Sequence, residues 1–240
     1  MTSLTFERYL QTIDMHKLLE ELAVPNAQVI LKEIKHFTQK EAEKRDKILL
    51  GYFGEDSVNL IVNSICNCLL LTPKLREDAE ILDVGAGSGL FTIRVARKLR
   101  IKLPKATFYA MDATPIMLKM LTRKTSEIQP FLGIAENITK SVELARKHFW
   151  IPHKFDAILS TLMLHHCISM EKVFQSMREA LKTHGKVVVV HLCRHLFEEF
   201  RQEMGDVHLG FEPEQIGKVA KRLFTEASVE KLPGICCSSS

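Results

Sequence analysis

The 240-residue chain lacks any apolar run approaching the roughly 20 residues that a membrane-spanning helix requires. Residues 1–6 carry no basic stretch ahead of an apolar segment, so no secretory leader is expected and the chain reads as cytoplasmic. C-x-x-C pairs are missing, which removes zinc-ribbon and thioredoxin-like chemistry. The six cysteines (Cys66, Cys68, Cys167, Cys193, Cys236 and Cys237) are then expected as reduced thiols. Blocks of like charge are missing too. The net charge is only +4, and Lys and Arg are interleaved with Asp and Glu, so composition points to no nucleic-acid partner. The densest charged stretch, KEAEKRDK at 40–47, reads as a solvated helix face rather than a phosphate site. There is no internal repeat and no low-complexity segment.

What is present is a globular composition, 46% hydrophobic and 26% charged, in a length suited to one buried core. Residues 1–75 read as helical, with Phe6, Leu10, Ile13, Leu18, Leu19 and Leu22 at helical spacing and further apolar stripes on either side of Gly51 and Gly54. Pro25 and Pro73 punctuate this segment, the two glycines are expected to break its third helix, and Asp56 or Ser57 to cap the next. From Ala79 the pattern alternates. Strands are expected at 81–84, 106–111, 131–135, 155–160 and 187–191, with helices between them, and a sixth strand at 227–232. Repeated strand–helix units predict an α/β fold, a doubly wound, mostly parallel sheet with helices on both faces. The division expected is an N-terminal helical lid, 1–75, and a ligand-binding domain, 76–240. Only 235–240 remain for a seventh strand, so that strand is expected short or missing. The exposed edge favours pairing with another chain, a homodimer among the options.

The sharpest motif closes the first strand: Asp83-Val84-Gly85-Ala86-Gly87-Ser88-Gly89. A glycine-rich strand-to-helix turn lets a ligand approach the backbone, as dinucleotides and S-adenosylmethionine both do. The dinucleotide fingerprint needs G-x-G-x-x-G, but the third-glycine position holds Leu90. Asp83, two residues ahead of the first glycine, would repel a pyrophosphate and suits an ammonium and a sulfonium. Asp112, after the apolar run Phe108–Met111, stands where an acid accepts hydrogen bonds from both ribose hydroxyls; the bland alternative is a cap for the helix from Pro115.

These segments, with G-I-A-E-N at 133–137, F-D-A-I-L-S-T-L-M-L-H-H at 155–166 and H-G-K-V-V-V-V at 184–190, resemble the successive strand-end motifs of class I S-adenosylmethionine-dependent methyltransferases. The likeness is to the small-molecule branch typified by ubiquinone and menaquinone biosynthesis, and it covers about 79–195. It implies that Asp83, Gly85, Ala86, Gly87 and Gly89 meet the methionine end of S-adenosylmethionine, and that Asp112, with Ala113 and Thr114 beside it, binds the ribose. It places Ala135 and Glu136 by the adenine, and Ser160 and Thr161 near the transferring methyl. It also implies a small-molecule methyl acceptor. The N-terminal helices, whose apolar stripes need cover, are expected to act as a lid over cofactor and acceptor, with simple core packing or a dimer contact as the alternatives.

His165 and His166 follow the fourth strand. They could serve as a general base, as a pocket wall, or as metal ligands, although side chains at i and i+1 diverge and chelate poorly. No metal set is expected. Cys167 reads as a buried thiol. His208 and Phe211 either touch the acceptor or belong to the turn that starts the helix at Pro213. The tetrapeptide after the fourth strand is S-T-L-M rather than N-P-P-Y, and no Pro-Cys pair occurs, which argues against methylation of nucleic-acid bases. Rival readings are a protein or RNA acceptor, a non-catalytic S-adenosylmethionine-binding protein, an NAD-dependent oxidoreductase, and an arsenite methyltransferase built on converging cysteines.

Overall fold

The computed structural model describes all residues except 1–2, 25–26, 72–73, 199–200, 202–206 and 234–240. Pro25, Pro73, the stretch expected to form a seventh strand, and Cys236 and Cys237 lie outside the described residues. Four helices come first: α1 (Ser3–Gln11), α2 (Met15–Glu21), α3 (Ala27–His36) and α4 (Gln39–Leu70). Then β1 (Glu80–Val84), β2 (Thr107–Asp112), β3 (Ile128–Leu132), β4 (Phe155–Thr161) and β5 (Leu181–Val190) alternate with α5 (Leu90–Leu99), α6 (Pro115–Lys124), α7 (Ile138–Ala145) and α8 (Met170–Ala180). Helix α9 (Pro213–Leu223) follows.

All strand pairs are parallel, in the order β3-β2-β1-β4-β5. Burial on both faces follows from the period-two alternation of a strand. Ile81, Phe108, Ala110, Ala157 and Leu159 join one core cluster, with side chains of α1, α4, α5 and α6. Leu82, Tyr109, Met111 and Ile158 join the other, with α7 and α8. At the amino ends of the strands, Lys182 donates to Glu80 at 2.6 Å and to Asp156 at 2.8 Å, and Asp156 also accepts from the Glu80 N–H. That network ties together β1, β4 and β5 at the end away from the glycine turn.

Three expectations need correction. Strand β3 starts three residues earlier than expected and takes in Pro130, opposite Ala110. It is an edge strand, where a residue without an N–H is tolerated. Residues 135–137 instead form a 3-10 turn. The expected strand at 227–232 is irregular, with 228–231 exposed; an alternation with no sheet neighbour does not make a strand. The break expected at Gly51 and Gly54 falls at Gly54 alone, at φ 74° and ψ 160°, where the 32-residue α4 kinks, and Asp56 and Ser57 lie inside α4 rather than capping a separate helix. Beyond Gly54, α4 lies along α5, with Arg94 bonded to Glu55 and Lys98 to Asn63. No helix among the described residues is long and apolar enough to cross a membrane.

The turn after β1 is held by backbone. The N–H groups of Gly85 and Ala86 both donate to the Met111 carbonyl, at 2.8 and 3.1 Å. A Cβ on Gly85, at φ +75°, would meet Met163 Cγ at 2.1 Å, whereas one on Gly87, at φ +54°, would meet nothing within 4 Å. Gly85→Ala should therefore destabilise the fold by about 2–5 kcal/mol, from strain plus overpacking, and Gly87→Ala by only about 1–2 kcal/mol, from strain alone. Urea unfolding of the two variants checks this, and equal losses would refute the packing argument.

Candidate functional site

Parallel strands bring all their carboxyl ends to one edge of the sheet, and the loops after β1 to β4 converge there. They line a cleft open to solvent. Of the residues singled out in the sequence, Gly85, Ala86, Gly87, Asp112, Ala113, Ala135, Glu136, Thr161 and His166 line it. Asp83, Gly89, Ser160 and His165 do not.

Asp112 ends β2 with its carboxylate fixed by two backbone N–H donors at 2.8 Å, Gly87 onto Oδ2 and Thr114 onto Oδ1. Burial raises its pKa, and these bonds pull it back. The acid thus joins the glycine turn to the start of α6. Glu136 lies across the cleft, where its Oε1 accepts from the Ile168 N–H at 3.1 Å and ties the turn after β3 to the loop after β4.

Asp83 sits beneath the turn, 2% exposed. Thr92 donates to its Oδ2 at 2.5 Å, while Oδ1 is buried and receives no hydrogen bond. Burial pushes its pKa up to about 7. The Ser160 hydroxyl is turned to the Val84 carbonyl at 2.8 Å, which binds the ends of β4 and β1 together. Thr161, next in line, faces the cleft, and its buried hydroxyl makes no hydrogen bond. Leu162 follows at φ +54°, a conformation that stores strain in a β4 loop aimed at the cleft.

His165 is 3% exposed, its ring 4.1 Å from that of His166 and 5.1 Å from that of His191. Burial holds its pKa well below the ordinary histidine value. His166 is the member that reaches the cleft, with Cys167 beside it. Cys167 is buried, as expected, and its thiol is 3.0 Å from Met163 Sδ. Among the described residues it is the one cysteine lining the cleft. Cys66 packs under α5 instead, against the Val95 carbonyl. No group of three or more His, Cys, Asp or Glu among the described residues is arranged to hold a metal. Phe211 and His208 belong to the turn ahead of α9, where Glu212 and Gln215 form a capping box and Pro213 begins the helix.

Sequence reasoning expected N-terminal helices over the site but assigned none of their side chains to the cleft. Ile30 of α3, Phe37 of the following turn, and Arg45 and Leu49 of α4 all line the cleft. The stretch 40–47 is thus not simply a solvated face: Asp46 accepts from the Ser88 hydroxyl in the glycine turn and from Lys124 at 2.6 Å. The signal available was Leu49, in helical register with Arg45 at i, i+4.

The residues present fit S-adenosylmethionine. The orphaned Asp83 oxygen calls for positive charge above it, the open space at Gly87 leaves room for a ligand against the backbone, and Asp112 presents an oriented carboxylate. A family model described as a methyltransferase domain matches residues 75–228. No curated protein sequence matches the chain. Among solved structures, a chain from the Haloferax volcanii complex of the Trm112 methyltransferase activator with a methyltransferase is similar at TM-score 0.58 and 12% identity, over 77% of this chain and 74% of that one. Phosphoethanolamine N-methyltransferase 2 of Haemonchus contortus, in complex with S-adenosyl-L-methionine, is similar at TM-score 0.55 and 18% identity, over 88% of this chain. This chain spans 44% of that protein's length. At these identities the likeness is one of fold.

The buried Asp83 makes stability depend on pH. Its folded pKa of about 7 lies above the unfolded value near 3.9, so its proton is bound more tightly in the fold. Its contribution to stability is full below about pH 4, falls as pH rises to about 7, and stays low above, whereas the buried His165 and His191, whose pKa values burial lowers, act in the opposite sense below about pH 6.5. Asp83→Asn should remove the Asp83 contribution to the slope and stabilise the ligand-free protein at pH 8 by about 1–3 kcal/mol, the orphan amide offsetting part of the gain. Urea unfolding at pH 4 and pH 8 checks it; an unchanged slope in the variant would refute it.

Proposed function

The chain belongs to the class I S-adenosylmethionine-dependent methyltransferases, and from that premise we propose that it methylates a small-molecule acceptor at the end of the cleft walled by Thr161, His166 and Cys167. The observation that carries the choice of acceptor is the roof. Ile30, Phe37 and Leu49 close over the strand ends with apolar side chains, which favours a compact ligand over a polymer surface. The likeness of the strand-end motifs to those of ubiquinone and menaquinone biosynthesis supports the same choice.

In this reading Asp112 holds the ribose through its two oxygens, already aimed by Gly87 and Thr114. Asp83 supplies negative charge beneath the turn for the ammonium end. The backbone of Gly85–Gly87 allows close approach, and Ala135 and Glu136 border the adenine. When bound, the cofactor supplies an electrophilic methyl on a sulfonium. The protein's part is positioning and the exclusion of water, which the roof and the apolar Met163 and Met117 provide. His166 faces the cleft and is the residue to take a proton where the acceptor must lose one. His165, buried and held neutral, supports it as a wall; its lowered pKa makes it a poor base.

Calorimetric titration should show micromolar binding of S-adenosylmethionine and S-adenosylhomocysteine and none of NADH; binding of NADH alone would overturn the reading. Asp112→Ala should weaken S-adenosylhomocysteine at least about tenfold, the scale of a charge-assisted pair of hydrogen bonds. With methyl-labelled cofactor and a cell extract, label should enter the small-molecule fraction. Label confined to protein or RNA would sink the choice of acceptor.

A further inference from the structure

The charges lining the cleft are the reverse of the cofactor's. Three charged side chains line it among the described residues: Asp112, Glu136 and Arg45. The two acids stand at the ribose and adenine positions, and each accepts backbone N–H bonds. S-adenosylmethionine brings, besides its two cationic centres, one carboxylate. Arg45 is the one Lys or Arg among the described residues lining the cleft.

Its placement is built in. Arg45 lies half-buried on the roof side of Gly54, its guanidinium 5.4 Å from the centre of the Phe37 ring, stacked against an aromatic face. The next residue, Asp46, grips the glycine turn through the Ser88 hydroxyl and also holds Lys124, whose ammonium donates in turn to the Ser88 carbonyl at 2.8 Å. Helix α4 is thus pinned to the loop that must carry the methionine end of the cofactor. The charge of Arg45 is felt by both Asp112 and His165.

We propose that Arg45, delivered by the roof helix, binds the α-carboxylate of S-adenosylmethionine, so that the cofactor's amino-acid end is clamped between Asp83 below the turn and Arg45 above it. The proposal rests on the cofactor reading given above. It assigns a binding role to a residue outside the matched domain, which begins at residue 75. A guanidinium suits a carboxylate because its planar fork donates two parallel hydrogen bonds; a lysine keeps the charge without the fork. It follows that loading the cofactor adds a contact between roof and floor, on the side of Gly54 away from the half of α4 anchored on α5.

The test compares S-adenosylhomocysteine with 5′-methylthioadenosine, which has the same nucleoside and no amino-acid end. Dissociation constants are measured by calorimetry, by competition where binding is weak, on wild type, Arg45→Met and Arg45→Lys. Arg45→Met should weaken S-adenosylhomocysteine by tenfold or more and leave 5′-methylthioadenosine within twofold, with Arg45→Lys in between. Less than a twofold change for both ligands overturns the proposal, as does an equal loss for both, which would place Arg45 on the nucleoside or make it a support of the roof. Wild type that binds neither ligand overturns the cofactor reading itself. Thermal melts of the three proteins show whether the substitutions leave the fold intact, and a Met variant that melts early leaves Arg45→Lys to decide on the same ratio.

Discussion

A carboxylate sealed beneath a glycine turn is the constraint to which the rest of the site answers. Asp83 has one oxygen satisfied by Thr92 and one left bare, an arrangement tolerated only where the surroundings are stable enough to carry it. That stability comes from the sheet. Two backbone bonds to Met111 hold the turn, Ser160 ties β4 to the end of β1, and Met163 fills the space a side chain at Gly85 would need. The unfavourable burial is local and the compensation is spread over three strands. The same arrangement leaves a site of negative potential awaiting a cation, so ligand affinity and the instability of the ligand-free fold share one origin.

The central strands were legible because burial on both faces leaves a mostly apolar run, as in 81–84 and 155–160, each interrupted by an aspartate. The glycine turn was legible because its backbone requirements admit few residues, and Asp112 because its place follows from the parallel register with β1. The edges were harder to read. Strand β3 includes a proline that a central strand would refuse, and the alternation at 227–232 has no neighbour to make it a strand. Both features depend on where a segment lies in the sheet, which local pattern does not encode.

The cleft-facing side chains of the N-terminal helices escaped for a related reason. In KEAEKRDK, Arg45 and Asp46 look like any solvated pair, and only the path of the chain brings one over the cleft and the other onto the glycine turn. The two adjacent histidines show the same dependence on placement. The backbone turns one into the core and the other toward the cleft, so equal residues acquire unequal chemistry. Asp83 and Asp112 were readable from motif and spacing, whereas Arg45, Asp46 and the apolar surface over the cleft were set by tertiary structure.

Gly54 divides α4 into two stretches of different employment. The far stretch is committed to α5 through Arg94 and Lys98, while the near stretch serves the cleft. An unbroken helix transmits twist along its length; one with a single residue out of helical geometry acts as a joint, and stress on one side need not reach the other. For lineages of this chain, that uncouples two kinds of change. Substitutions at Phe37 can recut the ceiling for a different guest on one side of the joint, while Gly54, with open space around it, is restricted by its backbone conformation alone.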